Sequence, residues 1–116
     1  MTNQEAFDVM VRHLRKQGCK SLSASGRCVY RGPRGLRCAV GALIPDDEYC
    51  MNLEYWGASR VQKKVPALEG ISTDILEEMQ MIHDSDDPMT WERYFAAAAK
   101  SFGLTLPPLE SEASHA

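Results

Sequence analysis

The chain has 116 residues, 44% of them hydrophobic and 25% charged, which is the make-up of one ordinary globular domain and leaves no room for a second. Its formal net charge is −3 and its pI about 5.6, which disfavours nucleic acid as a partner, since domains that bind it are typically strongly basic. No apolar run approaches the roughly 18 residues of a membrane helix, and the opening MTNQEAFD lacks the basic start and apolar centre of a signal peptide. The expectation is a protein of the cytoplasm with no membrane contact. Four cysteines, Cys19, Cys28, Cys38 and Cys50, are then expected as free thiols of a reducing compartment, and no close pair of them has zinc-finger spacing.

Charge is divided along the chain. Residues 1–40 hold eight basic side chains against two acidic ones, for a net of +6, and the remaining 76 hold five against fourteen, for −9. Such a split reads either as a phosphate-attracting patch with an acidic face behind it, or as two halves that neutralise each other across the fold. The second reading is preferred at a pI this low.

In chain order, Thr2 with Glu5 three places on is a capping-box signature, and Phe7, Met10, Val11 and Leu14 follow at helical spacing. A first helix is expected, ending at Gly18. Ser21 to Ser25 is small, polar and turn-like. Arg27-Cys28-Val29-Tyr30-Arg31 alternates only loosely, but its β-branched and aromatic residues read as a short strand. Gly32-Pro33-Arg34-Gly35 is a turn tetrapeptide, and Leu36 to Val40 would return as the second arm of a small β-hairpin.

Cys38 to Ile44 is an apolar run of small residues stopped by Pro45, the mark of a buried turn or short helix. Asp46-Asp47-Glu48 makes an acidic helix start with Tyr49, Met51 and Leu53 behind it. Ala58 to Val65 supplies one or two helical turns that must stop before Pro66. Ser72 and Thr73 cap a helix whose stripe is Ile75, Met79 and Ile82, with Leu76 and His83 beside it. Asp87-Pro88 opens the last helix, where Trp91, Tyr94, Phe95, Ala98 and Phe102 recur at the helical period before Gly103. The expected fold is mainly α, with about four helices packed around the hairpin as a single domain over 1–106 and a disordered tail over 107–116.

Three constellations are candidates for chemistry. Cys28 and Cys38 on the two hairpin arms, with His83 and Asp84 elsewhere, hold the parts of a thiolate nucleophile and its base, but nothing local pairs them and buried cysteine is common in cores. A metal site would draw on His13, Cys19, Cys28, Cys38, Cys50 and His83, of which Cys28, Cys38 and His83 are the weak favourites; it would need four ligands from four segments. Arg27, Arg31, Arg34 and Arg37 around a glycine turn resemble a phosphate-holding arrangement of guanidinium and amide donors, without matching a Walker A or dinucleotide pattern. Tyr55 and Trp56 are either an aromatic interface anchor or a corner of the core. No catalytic set and no cofactor are assigned.

The pattern Cys28-x-Tyr30-Arg31, then Gly35-x-x-Cys38-Ala39-Val40-Gly41-x-Leu43-Ile44-Pro45-Asp46-x-x-Tyr49, then Ile82-His83-Asp84 and Trp91, resembles a group of small uncharacterised proteins carried by tailed phages and prophages. The resemblance covers the chain to about Leu104. It implies an accessory phage protein in the host cytoplasm, acting by binding a host protein and blocking a defence complex, an inference by analogy. The leading expectation is therefore a non-enzymatic binder of a host protein through Arg27, Arg31, Arg34, Arg37, Tyr55 and Trp56, with homo-oligomerisation left open. The alternative is a binder of a nucleotide or other phosphate-bearing small molecule, or an enzyme acting on one, built on the same arginines.

Overall fold

A computed structural model describes residues 1–109. Four α-helices are present among them: α1 (Asn3–Gln17), α2 (Ala58–Lys64), α3 (Thr73–Ser85) and α4 (Trp91–Phe102). Thr2 caps α1 through the reciprocal capping box with Glu5, and Gly18 closes it in the left-handed region, as the glycine at that position allows. α3 runs from its expected cap residue, although the Ser72 side chain makes no capping bond. Asp87 caps a 3-10 turn, Pro88–Thr90, that leads directly into α4.

The core forms where the apolar stripes meet. α3 packs on both α4 and α2, and α1 lies against the turn Val40–Leu43 and against α3. Phe7, Met10, Val11 and Leu14 of α1 are buried with Ile75, Leu76, Met79 and Ile82 of α3 and with Trp91 and Phe95 of α4. Burying such side chains contributes about 1.5–3 kcal/mol each. Tyr94, read as part of the last helix's apolar stripe, is instead 38% exposed. No helix among the described residues is long and apolar enough to cross a membrane.

The expected β-hairpin does not form. Among the described residues there is no β-strand, only two isolated antiparallel bridges, Leu22 with Cys28 and Arg31 with Arg37. The turn does sit at Pro33, with Gly32 N–H donating to the Leu36 carbonyl at 2.8 Å. Beyond it the ladder fails because side chains from elsewhere take the backbone groups that a hairpin would pair. Glu54 accepts from Tyr30 N–H at 2.8 Å and from Arg31 N–H at 3.1 Å. Gln17 accepts from Arg37 N–H at 2.9 Å, and Gln80 accepts from Val40 N–H at 3.1 Å. Buried backbone groups need partners, but any acceptor serves.

The second arm also bends too early. From Val40 it becomes a 3-10 turn through Leu43. That turn brings Gly41 so near the first arm that a Cβ there would lie 2.1 Å from the Tyr30 carbonyl oxygen, so only glycine fits.

Between this turn and α2 the chain makes two further 3-10 turns, Asp46–Glu48 and Met51–Tyr55, in place of the expected helix. Pro107 and Pro108 present their carbonyls to Arg15 Nη1 at 2.8 and 3.1 Å. Leu109 is exposed, and residues 110–116 of the expected tail lie outside the described residues.

Candidate functional site

The stretch 27–31 is extended without being a strand, and successive side chains still point to opposite sides. Arg27, Val29 and Arg31 line an open cleft of about 370 Å³, together with Ser23, Ser25, Gly32, Pro33, Tyr49, Met51, Glu54 and Tyr55. Cys28 and Tyr30 face the other way. Tyr30 is 6% exposed, and its hydroxyl donates to the Trp56 carbonyl at 2.6 Å; burial raises its pKa well above the ordinary phenol range.

Glu54 organises the floor. It holds the two backbone N–H groups of Tyr30 and Arg31, and it accepts from the Tyr49 hydroxyl at 2.6 Å. Burial first, and then this bond to a carboxylate, push the Tyr49 phenol up to about 12, so Tyr49 stays a donor. Its ring carries the Arg31 guanidinium, 4.4 Å from the ring centroid.

The four arginines read as a set are not one site. Arg31 Nη2 donates to the Ile44 carbonyl at 3.0 Å and pairs with Asp46 Oδ1 at 2.8 Å, and Arg37 Nη2 pairs with that same oxygen at 3.2 Å. Asp46 thus occupies the place an external anion would take between them. Arg34 is exposed at the tip of the turn, its backbone left-handed at φ 58°. Arg27 is exposed and makes no ion pair among the described residues. Of the four, only Arg27 and Arg31 line the cleft.

The aromatic pair also divides. Tyr55 is 75% exposed on the cleft rim beside Met51 at 76%. Trp56 is half-buried against the core, with the Arg60 guanidinium 4.3 Å above its ring.

The candidate thiol chemistry meets a different geometry. Cys28 lies beside His83 and Asp84, with a sulfur, a ring nitrogen and a carboxylate oxygen all within 4.8 Å of one another. Cys38 is not in this cluster. It is fully buried, it accepts from Gly41 N–H at 3.3 Å, and burial pushes its thiol up to about 12.

His83 is fully buried, and its Nε2 lies 2.9 Å from the Ser21 backbone nitrogen. A backbone N–H only donates, so Nε2 must accept and the ring proton sits on Nδ1, which donates to Asp84 Oδ1 at 2.7 Å. The imidazole lone pair is thereby spent. It is not available as a base for Cys28, and a metal on Nδ1 would put a proton on Nε2 facing the Ser21 N–H. Burial, followed by the charge and hydrogen bond of Asp84, raises the Cys28 pKa, the reverse of what a reactive thiol needs. The cluster is a structural clasp that holds Ser21 and Cys28 against α3, reinforced by Lys20 Nζ, which donates to the Asp84 carbonyl at 3.2 Å.

Of the cleft lining, the sequence marks Arg27, Arg31 and Tyr55 as candidate binding residues, whereas Ser23, Ser25, Val29, Gly32, Pro33, Tyr49, Met51 and Glu54 carry a structural reading there or none at all. Nothing in the segments that supply them spells out a binding site, and the local signal is the acidic and aromatic crowding of residues 46–56. No family model, curated protein or solved structure matches the chain.

Proposed function

We propose that this protein acts by binding another protein through the cleft between residues 23–33 and 49–55, without catalysing a reaction. The observation that carries the reading is the pair Met51 and Tyr55, two large side chains left three-quarters exposed side by side on the cleft rim. Aromatic residues, methionine and arginine are the types enriched in protein interfaces, and the cleft collects all three. Among the described residues, the cluster with catalytic residue types, Cys28, His83 and Asp84, has its imidazole lone pair occupied and its thiol pKa raised. By the resemblance to phage-carried proteins, the partner is a host protein and the binding serves to block it.

The phosphate-binding alternative finds less support, because Arg31 and Arg37 already share the Asp46 carboxylate. The test is affinity capture from host lysate with the wild-type protein and with a Met51→Asp, Tyr55→Ala double variant. Both positions are exposed, so the variant should keep its thermal midpoint. A protein captured by the wild type and lost by the variant is the expected result. Identical capture profiles, or none above a bare support, would defeat the proposal.

A further inference from the structure

We infer that the segment taken by the cleft is acidic, an Asp or Glu carboxylate next to an aliphatic or aromatic side chain of the partner. This rests on the protein-binding reading above and concerns only what is bound.

The cleft offers free donors at the Ser23–Ser25 pair and at Arg27. The Ser23 hydroxyl oxygen accepts from Arg27 N–H at 3.2 Å, and Ser23 and Ser25 share a single hydrogen bond of 3.0 Å. One hydroxyl proton of the pair is therefore left to donate outward. Arg27 brings a guanidinium that makes no ion pair among the described residues. The one acid in the lining, Glu54, has both oxygens engaged by Tyr30, Arg31 and Tyr49. An acceptor-rich, negatively charged group complements this surface, and arginine with a carboxylate is among the stronger pairings.

Arg31 has a different part. Held by the Ile44 carbonyl, Asp46 and the Tyr49 ring, it is a wall of the cleft that already has a carboxylate partner. Arg27 is the cation of the lining that no carboxylate touches among the described residues, and it suits one carboxylate. Single-stranded nucleic acid calls for a track of cations along its backbone, which neither the cleft nor a chain of net charge −3 provides. A volume of about 370 Å³ is at the small end of ligand cavities, which run from about 300 to 1,000 Å³. It admits one anchoring side chain and leaves that residue's neighbours to lie on Met51 and Tyr55.

The test is to pan a random-peptide display library on the immobilised full chain. Binding of an enriched peptide is then measured by fluorescence anisotropy to wild type, Arg27→Gln, Tyr55→Ala and, as a control away from the cleft, Arg93→Gln. Arg27 is exposed, so folding is not at stake. The expected result is a motif pairing an acid with an apolar residue, weakened about tenfold or more by Arg27→Gln, weakened by Tyr55→Ala and unchanged by Arg93→Gln. Enriched peptides without an acid, lost with Tyr55→Ala but indifferent to Arg27→Gln, would overturn the acidic inference and leave the protein-binding reading standing. No enrichment over the bare support would count against both. Tighter, Arg27-dependent binding of a labelled oligothymidylate would replace the peptide with nucleic acid.

Discussion

Replacing His83 tests how the inner side of the cleft is held in place. The ring is fully buried, accepts from Ser21 N–H, donates to Asp84 and stacks on Trp91 with centroids 5.8 Å apart. Leucine fills similar space but accepts nothing. A buried N–H left without a partner costs about 1–3 kcal/mol, and the lost Asp84 bond about 1 more. Loss of the aromatic stacking adds about 0.5–1.5 kcal/mol. His83→Leu should therefore destabilise by about 3–5 kcal/mol, which at a urea slope of about 2 kcal/mol/M is a midpoint shift of about 1.5–2.5 M.

Glutamine reaches as far as Nε2 and can present an amide oxygen to Ser21, so His83→Gln should recover roughly half of the loss. Hydrogen exchange gives a second readout, since the Ser21 amide should exchange faster in His83→Leu than in His83→Gln. If leucine costs less than about 1 kcal/mol, or if glutamine is no better than leucine, the acceptor role assigned to Nε2 is wrong.

Other perturbations test other contacts. Gly41→Ala would place a methyl 2.1 Å from the Tyr30 carbonyl, and a loss of about 3 kcal/mol is expected, the upper end of overpacking costs; an unchanged thermal midpoint would refute the close approach. Arg34→Gly should stabilise by about 0.5–1 kcal/mol, because the left-handed backbone costs an L-residue about 1–2 kcal/mol and glycine's greater freedom in the unfolded chain returns part of it. Chemical denaturation would show the sign, and destabilisation would contradict the observed φ.

Alkaline stability depends on Cys38, whose folded pKa of about 12 stands above the ordinary 9. Below pH 9 the thiol is protonated in both states and has no effect. Above it the unfolded chain loses a proton that the fold retains, so stability should fall by about 1.4 kcal/mol per pH unit between pH 9 and 12. Tyr49, raised to about 12, adds to the fall in the same direction above pH 10. Melts of the wild type and Cys38→Ala should diverge over this range, and parallel curves would remove Cys38 as the cause.

The helices were legible because their signals are local. Thr2 and Glu5 are three residues apart, Asp87 adjoins Pro88, and the stripes of α1 and α3 are periodic within a few turns. The hairpin misled for the opposite reason. Its arms have strand-like composition, but the groups that decided their pairing are Gln17, Glu54 and Gln80, and nothing in the arms announces them. Cys28 and Cys38, placed on the two arms of the expected hairpin, go separate ways once the ladder is absent, one to α3 and the other into the core beside Gly41. Arg27, Arg31 and Tyr55 were readable as candidate binding residues from type alone. That Asp46 would pair with both Arg31 and Arg37 was not, since an acidic run before a helix start reads as a capping feature.

The division of charge along the chain bears directly on the cleft. Part of it is answered internally: Arg15 makes a two-bond pair with Glu92, with both distances 2.7 Å, and Arg31 and Arg37 converge on Asp46. Each of these pairs joins the basic first part of the chain to the acidic remainder. Arg12, Lys16, Lys20, Arg27 and Arg34 make no ion pair among the described residues; of these Arg27 lines the cleft, and its exposure follows from register. Because side chains alternate along 27–31, burying Tyr30 under Trp56 and clasping Cys28 against Asp84 obliges Arg27, Val29 and Arg31 to face outward together. A slip of one residue would exchange the two sets, turning Tyr30 to solvent and two guanidiniums into the core. The contacts that fix the fold here are therefore the same ones that set the charge the cleft presents.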